Sequence, residues 1–329
     1  MFVKKLAHGV FLTLAMCLPV AASANAEMIA GAKTIELWKE PKDISARNLY
    51  YGPGGKAHQP HGNFVFVKED LDGTNPKFVV RDQDGVKWKV KMGNEARPET
   101  VATRIAWAVG YYTNEDYFVP RLLVTGMPAH LHRGQNLVSR DGSVYGVRLK
   151  REEVKKAGAW EWRQSPFSGT RELNGLRVVM ALMNNWDLKD ENNAVYQEGS
   201  KSIYAVSDLG ASFGSASRTW PKSKSKGDLE SYERSKFVDK VSDGEVKFRT
   251  PARPSLIYIL NPKEYFQRVH MEWIGRGIPR EDVRWMGQLL SRLSTAQLRD
   301  AFRAGGYSPV EVEGFVAIME KRIRLLTDL

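Results

Sequence analysis

Cysteine is almost absent from this 329-residue chain: the only one is Cys17, inside an apolar stretch at the start. A chain that has shed that stretch has neither disulfides nor thiol chemistry. Histidine is scarce as well, with six residues. His58 and His61 share one loop, and His130 and His132 a later one, with no Cys or ordered carboxylate ligand beside them; they read as surface histidines rather than a zinc site. There is no internal repeat and no long low-complexity tract, so the chain is not a repeat array. It also lacks a stripe of interleaved aromatic and basic residues, which leaves glycan or nucleic-acid binding without support. Past the first 26 residues no apolar run approaches the length of a membrane helix.

What is present at the start is a targeting segment, Met1 to Ala26. Lys4 and Lys5 form its charged beginning, Val10 to Ala22 its apolar run, and Ala24-Asn25-Ala26 a small-residue cleavage site. The mature chain is expected to begin at Glu27 and to be exported, periplasmic or secreted, as a monomer without a membrane span. Leu14-Ala15-Met16-Cys17 offers a rival reading as a lipoprotein signal, with Met16 a poor residue before a modified Cys. Removing Lys4 and Lys5 leaves 47 basic residues against 38 acidic ones, a formal charge of +9. That balance favours an anionic partner or acceptor without naming one. About 300 mature residues suffice for a two-lobed domain with a substantial core.

Phe64 to Val67, Lys77 to Val80 and Val86 to Lys91 read as three antiparallel strands, rich in aromatic and β-branched residues. In the third, Val86, Trp88 and Val90 face one side and Lys87, Lys89 and Lys91 the other, where a solvated basic face is the plain alternative to a site. Pro98-Glu99 opens an amphipathic helix that ends at Gly110. Tyr145 to Lys150 is a further strand, and the chain through Trp160 and Trp162 runs from a hinge into a second lobe. Leu173, Leu176, Val179, Met180 and Met183 have helical spacing with one buried face. Gly52-Pro53-Gly54-Gly55-Lys56 precedes no helix pattern and reads as a loop rather than a phosphate cradle. Lys222 to Gly227 is a polar, basic loop over the cleft or a docking site for an acidic substrate. In the tail, Ser294-x-x-Gln297 and Ser308-Pro309-x-Glu311 are helix starts, and Gly305-Gly306 is a stop.

Chemistry concentrates between that buried-face helix and Gly210. Ala194 to Tyr196 and Lys201 to Ser207 read as a hairpin joined by a four-residue loop, Gln197 to Ser200. Asn192 enters it and Asp208 leaves it, so the two are expected side by side, with Asp187 five residues upstream of Asn192. These are hard oxygen ligands suited to magnesium and a bound phosphate. Asp187-Leu188-Lys189-x-x-Asn192 followed by Asp208-Leu209-Gly210 resembles the catalytic loop and metal-binding triplet of protein-kinase-like enzymes, with Leu209 where Phe is usual. Asn185-Trp186 replaces the usual His-Arg, which points to the atypical HipA-like and phosphatidylinositol-kinase-like branch. Gly73-Thr74-Asn75-Pro76-Lys77 is similar to the phosphate loop of HipA-like kinases, and Trp88-Lys89-Val90-Lys91 to the lysine-bearing strand of kinases.

The resemblance implies an α+β, two-lobed kinase-like fold. An N-terminal lobe, residues 27–155, carries an antiparallel sheet and one helix, and residues 156–329 form a mainly helical C-terminal lobe. It implies that Asp187 orients or deprotonates the attacking hydroxyl and Lys189 touches the transferred phosphoryl. Asn192 and Asp208 would hold Mg2+ or Mn2+. Lys91, paired with Glu99 or in reserve Glu95, would bind the phosphates of ATP or another nucleotide, aided by Gly73 and Lys77. The runner-up is a non-catalytic binding protein on the same scaffold. For the targeting segment, intact-mass analysis of exported protein should find a chain starting at Glu27, and Ala26→Tyr should block processing; a lipid-bearing start at Cys17 would replace that reading.

Overall fold

The computed structural model describes residues 34–152, 155–185, 187–215, 226–249 and 271–329. The expected targeting segment, Trp186 and residues 222–225 of the basic loop lie outside them. The described chain begins with β1 (Thr34–Glu36) and then builds a barrel from β2 (Phe64–Asp70), β3 (Lys77–Arg81) and β4 (Lys87–Lys91). Helix α1 (Ala96–Ala108) and the short β5 (Tyr112–Thr113) intervene before β6 (Asp116–Thr125) and β7 (Ser143–Arg151) complete it.

The expected antiparallel sheet closes on itself in the order β2-β3-β4-β7-β6. All its pairings are antiparallel except the closing one, β2 with β6, which is parallel. Closure turns the alternation of β4 into an inside and an outside. Trp88 and Val90 fill the barrel with Phe78, Val80, Val147 and Leu149. The indole N–H of Trp88 is answered by Asp82 Oδ2 at 2.8 Å, so the polar edge of a fully buried ring is not left orphaned.

Beyond the barrel come β8 (Lys156–Gly158), α2 (Arg171–Leu182), β9 (Asn193–Glu198) and β10 (Lys201–Val206). The Thr170 hydroxyl caps α2 by accepting from the Leu173 amide. Strands β9 and β10 form the predicted hairpin, but the strands run further than the sequence suggested. Glu198 pairs with Lys201, so the connection is the two-residue turn Gly199-Ser200 rather than four residues. Gly199 at φ +60° supplies the left-handed conformation that so short a turn requires. This hairpin is the centre of a five-stranded sheet, flanked by β8 on one side and by β1 and β5, both parallel to β10, on the other.

The remaining described strands and α-helices are α3 (Leu229–Arg234), β11 (Val238–Val241), β12 (Glu245–Phe248), β13 (Ile278–Pro279), α4 (Arg280–Leu290), α5 (Thr295–Ala304) and α6 (Pro309–Asp328). The capping box read at Ser294 and Gln297 forms on α5, and the helix start read at Ser308 is a capping box as well, with Glu311, on α6. A second, larger core joins α2 through α6 and also takes the apolar face of α1, including Val101, Ile105 and Ala106. Helix α1 begins at Ala96, two residues before the Pro98 start read from sequence, because proline is tolerated anywhere in a first turn that has no amide bonds to lose. The expectation of an α+β fold with a strand-built N-terminal part and a mainly helical C-terminal part holds.

Arg322 of α6 ties the C-terminal helix to the end of α2 and to α3. Its guanidinium donates to Leu182 O at 3.2 Å, Tyr232 O at 2.9 Å and Ser235 O at 3.1 Å, and lies 4.0 Å over the Tyr232 ring. Arg322→Met keeps much of the stem packing but leaves these buried carbonyls unanswered. Urea unfolding should show a loss of about 3 kcal/mol, and a change under about 0.5 kcal/mol, the size of an ordinary surface substitution, would show that water takes the role over.

Candidate active site

The site is built around Lys91, the last residue of β4. The three lysines of that strand do all point out of the barrel, yet they meet different surroundings. Lys87 is exposed, and Lys89 is half-buried against Asp70 at 2.8 Å and Glu152 at 3.3 Å. Lys91 is only 3% exposed, because α1 and the segment after β10 cover the barrel wall there. Its ammonium lies 2.8 Å from Glu99 Oε2, 3.0 Å from Asp208 Oδ1 and 3.2 Å from Glu95 Oε2. The first-choice partner and the reserve both reach it. A solvated basic face is therefore not the arrangement at Lys91.

Sequence reasoning missed the second cation. Arg148 on β7 is the cross-strand neighbour of Lys91 and donates to Glu99 Oε1 at 2.9 Å, so each oxygen of Glu99 faces a different positive charge. The strand was legible, but not the strand beside it. Asn75 and Lys226 were missed as well. The Asn75 amide donates to Glu95 Oε2 at 2.6 Å, and the Lys226 ammonium pairs with Glu95 Oε1. Glu95 thus gathers the turn before β3, the end of β4 and the chain beyond Gly210. Gly210 has no room for a side chain, since a Cβ there would sit 2.7 Å from Glu95.

Burial works against every charge in this cluster, and only its neighbours keep it ionised. It pushes the fully enclosed Glu99 carboxyl up to about 7, with Arg148 and Lys91 opposing. Against the same push, Lys91 and Arg148 hold Asp208 down to about 2, and Lys91 and Lys226 hold Glu95 below its ordinary value. Burial would also strip the proton from Lys91, but Glu99 and Asp208 raise it instead.

The predicted catalytic loop is held from its backbone. After α2, Asn184 adopts φ +53°, which swings the chain out of the helix, and the Asn185 amide oxygen accepts from the Asp187 N–H at 3.2 Å. The Asn192 side chain donates to Asp187 O at 2.7 Å, and the Ser207 and Asp208 amides both donate to Asn192 O at 3.1 Å. The structure therefore brings Asn192 and Asp208 together at the open end of the hairpin. Asp187 and Lys189 sit on the same loop with their charged ends 3.5 Å apart, both one-third exposed. Gly73 has φ +65° in the exposed turn between β2 and β3, and a Cβ there would lie 3.8 Å from Lys77 Nζ. Lys77 pairs in register with Lys91, and burial lowers its pKa. The eight sequence-selected residues form one connected set: Lys91 holds Glu99 and Asp208, the hairpin end joins Asp208 to Asn192 and Asn192 to Asp187, Lys189 pairs with Asp187, and Lys77, in register with Lys91, lies beside the Gly73 turn.

The donor set fits a divalent metal. Asn192 has used its N–H on Asp187, which leaves its amide oxygen as an acceptor, and Asp208 Oδ2 takes no hydrogen bond from the described residues. One carboxylate and one amide oxygen suit Mg2+ or Mn2+. The histidines do not compete: His58 pairs with Glu115 at 2.8 Å and His132 with Glu69 at 2.9 Å, each on the surface.

Removing the central ammonium takes one of the two cations from each of the buried Glu95 and Glu99 carboxylates and leaves Asp208 without its ion pair. Lys91→Met should lower the unfolding free energy by about 3–5 kcal/mol, against at most about 1 kcal/mol for the half-buried Lys89→Met, both read by urea denaturation. Because Asp208 titrates lower in the folded chain than its ordinary 3.8, its contribution is complete above that value and is lost as the pH falls through about 2. Asp208→Asn should flatten the acid limb of the stability profile in that window; an unchanged limb would show that the Lys91–Asp208 pair does not form in solution.

The strand-built part with one helix, the lysine held by a helix carboxylate, and the aspartate delivered by a hairpin are the parts that the kinase-like motifs imply. No family model matches the chain, and no curated protein does. Among solved structures, a Helicobacter pylori proinflammatory kinase, CtkA, is similar at a TM-score of 0.45 and 11% sequence identity, over 82% of this chain and 98% of that one.

Proposed function

We propose that the chain is an exported atypical kinase that transfers a phosphoryl or nucleotidyl group from a metal-bound nucleotide to an acceptor. The observation that supports this most is the grip on Lys91 by Glu99 from α1 and Asp208 from the hairpin. It sets a fixed cation beside the carboxylate that would carry metal. In this reading Lys91, with Gly73 and Lys77 at the neighbouring turn, neutralises and orients the phosphates. Asp187 accepts the proton of the acceptor hydroxyl as it attacks in line, and Lys189 stabilises charge on the transferred group. Asn192 and Asp208 are the residues that would hold magnesium or manganese, which supplies charge neutralisation at the phosphates when bound. The rest is positioning, and the backbone bonds of the loop provide it.

A second reading, a binding protein that does not catalyse, has its own support. Asp208 Oδ1 is engaged by Lys91, and Glu95 is engaged by Lys226, so metal and nucleotide must compete with internal pairs. Export adds weight, since a compartment beyond an inner membrane holds little free nucleotide.

The deciding measurement uses the mature chain with α- and γ-labelled ATP and GTP, with magnesium or manganese, scored for label on the protein, label on added acceptors, and hydrolysis. Turnover is expected, and Asp187→Ala should abolish it while leaving nucleotide affinity within about threefold. Nucleotide should raise the melting temperature only with metal present, and Asp208→Ala should remove that rise. Binding without turnover across donors and metals would establish the scaffold reading instead.

A further inference from the structure

The face of the barrel that carries Lys91 holds more positive charge than phosphates explain. Strands β4 and β7 place Lys91 beside Arg148 and Lys89 beside Lys150 in register, four cations in a block. Like charges directly across a sheet repel, so each needs an answer. Lys91 and Arg148 share Glu99, and Lys89 has Asp70 and Glu152. Lys150 has no carboxylate within ion-pair distance among the described residues, although it is half-buried. Its cross-strand neighbour on β6, Asp116, accepts from Thr103 and faces Arg148. Burial, then Arg148 and Lys89, lower the Lys150 pKa. Among the described residues, then, a costly donor is kept without a carboxylate partner.

Its place in the cleft narrows what it is for. Lys91 marks the end nearest Asp208 and the Gly73 turn, where the proposed function puts phosphates. Lys89 and Lys150 lie two residues further along their strands, about 7 Å away, toward the crossing from β7 to β8. Tyr196 of β9, whose hydroxyl donates to Asn114 Oδ1 at 3.2 Å, lies near the same charges, Lys89, Asp116 and Glu152. A nucleotide with its phosphates at Lys91 would bring its base to this end. A base offers an ammonium group only neutral acceptors, and purines differ in how many. Guanine presents O6 and N7 together on one edge, whereas adenine presents N7 beside an amino group that is itself a donor and repels an ammonium.

We propose that Lys150 is a specificity-determining residue that donates to the O6 and N7 edge of the base, so that this site takes 6-oxopurine nucleotides, guanine nucleotides above all. The inference rests on the nucleotide-binding reading of the site. Titration calorimetry of the mature chain with magnesium and ATP, GTP or ITP tests it. ITP keeps O6 and N7 but lacks the 2-amino group, so GTP and ITP should bind alike and about tenfold or more tighter than ATP. Lys150→Met should erase that preference while leaving the ATP affinity within about threefold, and Lys150→Arg should retain it; Lys91→Met should weaken all three nucleotides equally. Equal or tighter binding of ATP by the wild type, or a preference that survives Lys150→Met, overturns the base-reading role and leaves the proposed function standing. If a folded wild type binds none of the three, both fall together.

Discussion

A buried ammonium group is the constraint on which the rest of this structure depends. Lys91 is removed from water at the end of a barrel strand, and such a charge is stable only where carboxylates meet it with good geometry. The barrel alone does not supply them. Glu95 and Glu99 come from the start of α1, and Asp208 comes from the end of the β9–β10 hairpin, so the pairing exists only when barrel, helix and second sheet are docked. Arg148 then makes the arrangement mutual, because the same Glu99 that neutralises Lys91 also neutralises the arginine across the ladder. Electrostatics and tertiary assembly are here one requirement. The groups it gathers are also those a phosphorylated ligand would need.

The hairpin end is in turn held from behind by apolar packing. Phe213, three residues past Gly210, sits at φ +55° within a cluster of rings formed with Tyr232, Phe302 and Phe315. Phe302 and Phe315 stack at 4.8 Å between α5 and α6, the two helices that begin with capping boxes. The Phe213 amide donates to Met183 O at 2.7 Å, which joins the segment after Asp208 to the end of α2 just before the loop that carries Asp187. Gln297, a capping-box member, also donates to Ile44 O and Arg47 O, so α5 holds the start of the described chain as well. Local signals at helix ends thus reach the site through a few side chains that serve two elements at once.

Much of this was legible in the chain itself, and the reason differs by residue. The period of two in β4, the helical spacing from Leu173 to Met183 and both capping boxes depend on neighbours within a turn or a strand, so they can be read before any fold is known. Asn192 and Asp208 were placed side by side for the same reason, since a hairpin joins them through a short connection even when its turn length is misread. Arg148 was hidden because its importance depends on which strand lies next to β4, and the partner of β4 on that side comes 52 residues after it in sequence. The closure of the barrel, with its parallel β2–β6 pairing, and the recruitment of β1 and β5 to the second sheet were hidden likewise.

By itself, then, the sequence determined most of the elements, their faces and which polar residues the loop brings to the hairpin end, because these follow from backbone geometry and side-chain type over a few residues. It left open whether Lys91 was a solvated lysine or a buried one, and whether Glu95 or Glu99 faced it. Only the tertiary structure decided these, and it decided that both do. The physical reason is that the ionisation and burial of a side chain are set by charges brought near it across the fold, and no local pattern records which distant segments will arrive.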